Sequence, residues 1–272
     1  MARSPVPEAS NLTSDGRVRR EVVSFVRRGS RLSAAQERAW QAHAAQYVVD
    51  VPRGARSTLA APSVRLSVSE LYGNANPLIV EIGSGQGDCI AAAAASRPSE
   101  NFLALEVYKP GLAQTMLHLE RLGLPRNVKM LEVDAENSLP TLLGPESIRE
   151  VWIFFADPWH KTKHHKRRLI SPEFLRALTT LLEPGGIIRT ATDWADYAEH
   201  QHAAFETVAA EGLLVNLHPS GQRPEGTASD SVSDAMPNVG FAPRFDGRVR
   251  TTFEKKATAA GRLVWEFAYQ KA

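Results

Sequence analysis

A doubly wound α/β sheet is the fold this sequence predicts, and three observations predict it. Short apolar runs alternate with helix-forming stretches along most of the chain, the order that builds a parallel sheet covered by helices. The runs are apolar without two-residue alternation, as strands buried on both faces are. The first of them leads through a glycine turn into an alanine-rich stretch, a strand–turn–helix unit. The chain has 272 residues, 43% hydrophobic and 23% charged, enough for one large domain with extensions.

Taken in order, residues 1–16 are rich in Ser, Pro and small residues and are expected to form a disordered tail. Residues 17–76 read as a basic N-terminal arm followed by an irregular cover. Arg17, Arg19, Arg20, Arg27, Arg28 and Arg31 meet only two nearby acids, Asp15 and Glu21. Such an arm suits nucleic-acid phosphates, and equally a solvated helix face. Pro52, Gly54, Pro62 and Gly73 break any long element in 50–75. The main domain, 77–272, opens with LIVEI at 78–82, a buried strand that enters GSGQG and then a helix from Asp88. Strands follow at 102–107, 128–135 and 151–155. Between the first two of these lies a helix over 110–122, with Pro110 suited to its first turn. At Asp157-Pro158-Trp159 the chain must turn, because Pro158 cannot continue a ladder. Helices are expected over 172–182 and 194–210, strands at 187–190 and 213–217, and an alternating closing strand at 262–270. Residues 219–240, polar with several Gly, Ser and Pro, read as a flexible surface loop. The whole amounts to roughly seven strands in one domain.

The chemistry gathers at the strand ends. Gly83, Gly85 and Gly87 give G-x-G-x-G, one position short of the dinucleotide fingerprint, with Asp88 where its third glycine would stand. Glu81 precedes the turn inside the first strand, where a carboxylate disfavours a pyrophosphate but suits the cationic amino-acid part of S-adenosylmethionine (SAM). Glu106 ends the second strand, placed to accept from ribose hydroxyls. Asp134 ends the third, where an adenine amino group would lie, and Asp157 follows the fourth. One acid at a strand end is often only a helix cap; four in succession favour SAM over NAD. Behind Asp157 comes HKTKHHKRR, with Lys161, Lys163, Lys166, Arg167 and Arg168 among three histidines. This basic loop suits a polyanion beside the small-molecule site, although the net charge of +2 alone would not predict one. Trp159 suits stacking on a base or sugar, or packing of the turn.

Several classes are excluded or disfavoured. The single cysteine, Cys89, permits no intrachain disulfide and suggests no cysteine-based metal cluster, and the carboxylate–histidine spacing around His160, His164 and His165 is a poor match to known metal sites and favours RNA-facing histidines. There is no apolar run of about 18 residues for a membrane span, and no apolar core of a secretory signal at the N-terminus. A cytoplasmic location is the expectation. Oligomeric state, monomer or homodimer, is open.

With these residues in view, the sequence resembles the bacterial tRNA (guanine-N7-)-methyltransferases, the TrmB family. The motifs that carry the resemblance are SFVRRGSRL with QERA, EIGSGQG, LEV, FFADPWHKTKHHKRR, ATDWADYAEH and RTTFEKKA, covering nearly everything from Arg17 onward. It implies a seven-stranded SAM-dependent methyltransferase fold with an antiparallel last strand. It implies methyl transfer to N7 of a guanine in the variable loop of tRNA. By position, Glu81, Glu106, Asp134 and Asp157 match the family's SAM-binding acids, and Asp157 is also its proposed catalytic position. Lys161, Asp193, Thr251, Thr252, Phe253 and Glu254 match substrate-contacting positions, and 163–168 matches the RNA-interacting loop. Ala156 stands where the family usually has proline, Thr252 replaces a common lysine, and the 219–240 loop is longer. Three alternatives remain at the level of sequence. They are a SAM-dependent enzyme for another RNA, DNA or small molecule, a non-catalytic RNA-binding subunit, and, against the glycine spacing, a NAD-dependent oxidoreductase.

Overall fold

The computed structural model describes residues 23–25, 29–224, 236–251, 254, 258–259 and 261–272. Seven strands form one sheet: β1 Leu78–Ile82, β2 Asn101–Leu105, β3 Val128–Leu131, β4 Ile148–Phe154, β5 Leu182–Thr192, β6 Leu214–Asn216 and β7 Trp265–Lys271. Their spatial order is β3-β2-β1-β4-β5-β7-β6. The first five run parallel, and β7 inserts antiparallel between β5 and β6. The order reverses between β1 and β4, so a crevice opens there along the carboxyl edge.

Alternation within each strand separates two cores. Leu78, Val80 and Ile82 face one side with Val151 and Ile153, under α5 (Ala135–Leu142), α6 (Pro172–Leu181) and α7 (Ala195–Ala210). Ile79 and Trp152 face the other, under α1 (Ala34–Tyr47), α3 (Asp88–Ser96) and α4 (Lys109–Arg121). A short helix, α2 (Val68–Tyr72), lies in the connection before β1. Both faces of the central strands are therefore covered, the reason these strands read as unbroken apolar runs.

Two parts of the chain differ from expectation. The stretch read as arm and cover contains α1, started by a reciprocal capping box. The Gln36 amide donates to Ser33 Oγ at 3.3 Å, and the Ser33 amide donates to Gln36 Oε1 at 2.9 Å. Ala39 and Tyr47 are buried where α1 packs on α4 and β3, and Gln36 Nε2 donates to the Pro110 carbonyl. The loop at 219–240 is tied at its base: Gln222 bridges Val239, the Arg223 amide donates to the Asn238 carbonyl at 2.8 Å, and Met236 is buried. Backbone pairing overrides the polar composition there, and 225–235 lie outside the described residues. So do the tail and five of the six arm arginines (Arg17, Arg19, Arg20, Arg27 and Arg28).

Candidate active site

The carboxyl edge of the parallel strands collects the expected acids. Across the order β3-β2-β1-β4-β5, they are Asp134, Glu106, Glu81, Asp157 and Asp193. Each sits in or just beyond its strand, so the parallel arrangement brings to one lip residues up to 112 positions apart in sequence (81 to 193).

The glycine turn is held from two sides. Gly83, Gly85 and Gly87 all have positive φ, in the left-handed region that favours glycine. A Cβ on Gly87 would lie 2.1 Å from Thr115 Oγ1, and one on Gly111 would lie 2.2 Å from the Gly85 carbonyl oxygen. The first turns of α4 thus press directly on the loop. Glu106 braces it from the β2 side: its carboxylate accepts from the Gly85 amide at 2.8 Å and the Tyr108 amide at 2.9 Å.

Glu81 is 4% exposed, and burial pushes its carboxyl up to about 8. The Ile90 amide pulls it down, and the neighbouring Asp88 and Glu106 push it further up. Glu81 Oε2 and Asp134 Oδ1 are buried with no hydrogen-bond partner among the described residues. Asp134 Oδ2 accepts from Asn137 Nδ2 at 2.9 Å. Ser84 Oγ, inside the glycine turn, is likewise buried and unpartnered among the described residues. Sequence reading missed it because a serine between glycines reads only as turn chemistry. Buried acceptors are rarely left unmatched, and an ammonium and an adenine amine would match them. This set of acceptors fits SAM.

The turn carrying Asp157 is strained. Phe155 and Trp159 have φ of 55° and 49°, rarely adopted by bulky side chains. The Phe155 amide donates to the Ala191 carbonyl at 2.8 Å. Trp159 Nε1 donates to the Ser24 carbonyl at 3.0 Å, so this indole is engaged by the N-terminal arm. Asp157 is half-buried, close enough to Tyr197 to help push its phenol up, an effect dominated by burial. Asp193 is buried and pairs with Arg262 Nη1 at 2.6 Å, while Trp194 beside it packs edge-on against His160. Sequence reading missed Arg262; a buried acid needing a cation was its only signal.

The basic loop separates into two kinds of residue. It forms a 3-10 helix over Thr162–Arg167. Lys161, Lys163 and Lys166 are exposed. Burial and the surrounding cations hold His164 below its ordinary value, so it is neutral near pH 7. Arg167 stacks 3.5 Å from the Trp159 ring centroid and donates to the Val23 and Phe25 carbonyls. Arg168 is 5% exposed and points into the protein. This corrects its placement in the RNA-facing set, since a phosphate would have to displace its internal partners. Glu254 also faces inward. It accepts from Arg248 Nη1 at 2.7 Å and Nη2 at 3.1 Å, and Arg248 in turn reaches Glu266 at 2.6 Å. Thr251 is half-buried, its Oγ1 accepting from the Glu254 amide. Thr252 and Phe253 lie outside the described residues. No group of three or more potential metal ligands occurs among the described residues, and none of their helices is long and apolar enough to cross a membrane.

Comparison with known proteins adds the relatives. A family model described as "Putative methyltransferase" matches residues 75–267. The chain is 41% identical to a tRNA (guanine-N(7)-)-methyltransferase of Arthrobacter sp. (strain FB24), over 98% of this chain and 91% of that protein. It is 43% identical to one of Cutibacterium acnes, over 95% and 86%. Among solved structures, the 16S rRNA methyltransferase KamB is similar with a TM-score of 0.47 and 15% identity, over 75% of this chain and 92% of that one.

Proposed function

The chain belongs to the tRNA (guanine-N(7)-)-methyltransferase family, and on that premise we propose how its residues transfer a methyl group from SAM to N7 of a guanine in the variable loop of tRNA. When bound, SAM supplies a methyl carbon on a sulfonium leaving group. Guanine N7 carries a free lone pair on the major-groove edge. It needs no deprotonation, so no strong general base is required, and the protein's task is alignment and exclusion of water.

The observation that carries this reading is the row of carboxylates on one lip, two of them with a buried, unmatched oxygen. Glu81 holds the donor's ammonium, Glu106 the ribose hydroxyls and Asp134 the adenine amine. Gly83, Gly85 and Gly87 let the ligand approach the backbone. Asp157 stands at the reacting centre. There it stabilises the positive charge that develops on the purine, or holds the guanine N–H edge. Asp193 follows β5 on the same lip, and Thr251, Thr252 and Phe253 are assigned to the substrate side by family position. Lys161, Lys163 and Lys166 meet tRNA phosphates.

The test supplies labelled SAM and total tRNA, then maps the product base by cleavage chemistry specific for 7-methylguanine. Label in that base at the variable loop is expected; label elsewhere overturns the assignment. Asp157→Ala should abolish transfer while the protein remains folded, and near-normal turnover would remove Asp157 from the reaction.

A further inference from the structure

Of the two arginines that end the basic loop, Arg168 is bound entirely to the protein. Its side chain is 2% exposed. Nε donates to the Pro158 carbonyl at 3.0 Å, and Nη2 donates to Asp196 Oδ2 at the start of α7. Nη2 also lies 3.1 Å from His165 Nε2. The guanidinium sits 5.2 Å from the Tyr197 ring centroid. Pro158 is the residue after Asp157. It lies between Phe155 and Trp159, two non-glycine residues with positive φ. Such conformations are costly for bulky side chains and persist only where the surrounding structure enforces them. The Arg168 bond to Pro158 enforces this turn from the core side.

We propose that Arg168 is a positioning residue for methyl transfer: through the Pro158 carbonyl and Asp196 it clamps the Asp157 turn onto α7, and it contacts no RNA phosphate. The inference deepens the reading in which Asp157 serves the reaction, and it rests on that reading. A planar fork holds its donors apart in a fixed geometry that spans two elements, which the single compact ammonium of a lysine does not reproduce. Because the turn, not the RNA surface, depends on it, loss of Arg168 acts on turnover rather than on tRNA capture.

The experiment compares wild type, Arg168→Lys, Asp196→Asn and Asp157→Ala for kcat at saturating tRNA, tRNA affinity across a salt series, and thermal unfolding. Asp196 is 56% exposed at its side chain, so Asp196→Asn removes Arg168's carboxylate partner without opening the core. Arg168→Lys is expected to lower kcat at least tenfold, and Asp196→Asn severalfold. The tRNA affinity and its salt slope should match wild type in both. Combined, the two substitutions should cost less than the product of their separate effects, because they break one clamp. Weaker tRNA binding with a shallower salt slope and unchanged kcat would make Arg168 a phosphate ligand and overturn the proposal. So would wild-type kcat in a folded Asp196→Asn. If Asp157→Ala retains turnover, the reading of the catalytic turn has failed instead.

Discussion

Glu81 shows how one residue serves binding through its environment. Buried between the glycine turn and α3, its carboxyl is pushed up from an ordinary 4.5 to about 8, so it is mostly neutral at pH 7 in the donor-free protein. A cationic ligand favours the ionised form, so SAM binding should release close to one proton near pH 7. Calorimetry in buffers of different ionisation enthalpy would read this directly, and Glu81→Gln should abolish the release and weaken binding. Affinity should rise as pH approaches 8. Folding has the opposite sign. A raised pKa in the native state means this group's stabilising contribution is complete below 4.5 and is lost as pH rises through 8. Glu81→Gln should therefore gain stability relative to wild type across that window, in denaturant titrations without SAM. The acid itself was legible in the sequence, since a carboxylate inside an apolar strand stands out. Its protonation state was not, because that depends on burial by α3 and on Asp88 and Glu106 beside it.

At the level of elements, the glycine turn and the basic loop illustrate different limits of sequence reading. The positive-φ glycines follow from the G-x-G-x-G pattern. The need for Gly111 does not, because it comes from the 2.2 Å approach of an added Cβ to the Gly85 carbonyl oxygen where α4 packs on the turn. Gly111→Ala should cost about 1–3 kcal/mol as an overpacked site and weaken SAM binding, measured by chemical denaturation and calorimetry. The loop's charges were evident, but a run of cations does not say which point outward. Lys161, Lys163 and Lys166 are exposed, Arg167 holds the arm against Trp159, and Arg168 is inside. Replacing the three lysines with alanine should weaken tRNA binding at physiological salt. The salt slope should flatten by about 0.7–0.9 for each phosphate no longer neutralised, with kcat at saturating tRNA nearly unchanged. An unaltered slope would mean this helix does not meet phosphates.

On the scale of the whole molecule, β7 is the closing element. It pairs with β5 on one side and β6 on the other, and it buries Trp265, Phe267 and Tyr269. Removing residues 262–272 would strip both ladders and delete the Arg262 partner of Asp193. Loss of cooperative unfolding is expected, seen by circular dichroism on heating. If Arg17, Arg19 and Arg20 meet phosphates, removing residues 1–22 should weaken tRNA affinity and flatten its salt slope; an unchanged slope would leave them as solvated charges.

The sequence by itself determined the α/β class, the glycine turn, the strand-end acids and the basic loop. Each of these is written in local patterns: apolar runs, turn residues and clustered charge. Only the tertiary structure decided which charged side chains face solvent and which face one another. Arg168 and Asp196, Asp193 and Arg262, and Glu266 and Arg248 are paired by the folding of separate elements. A buried charge must find its partner in space, and the chain's local pattern carries no record of where that partner will be.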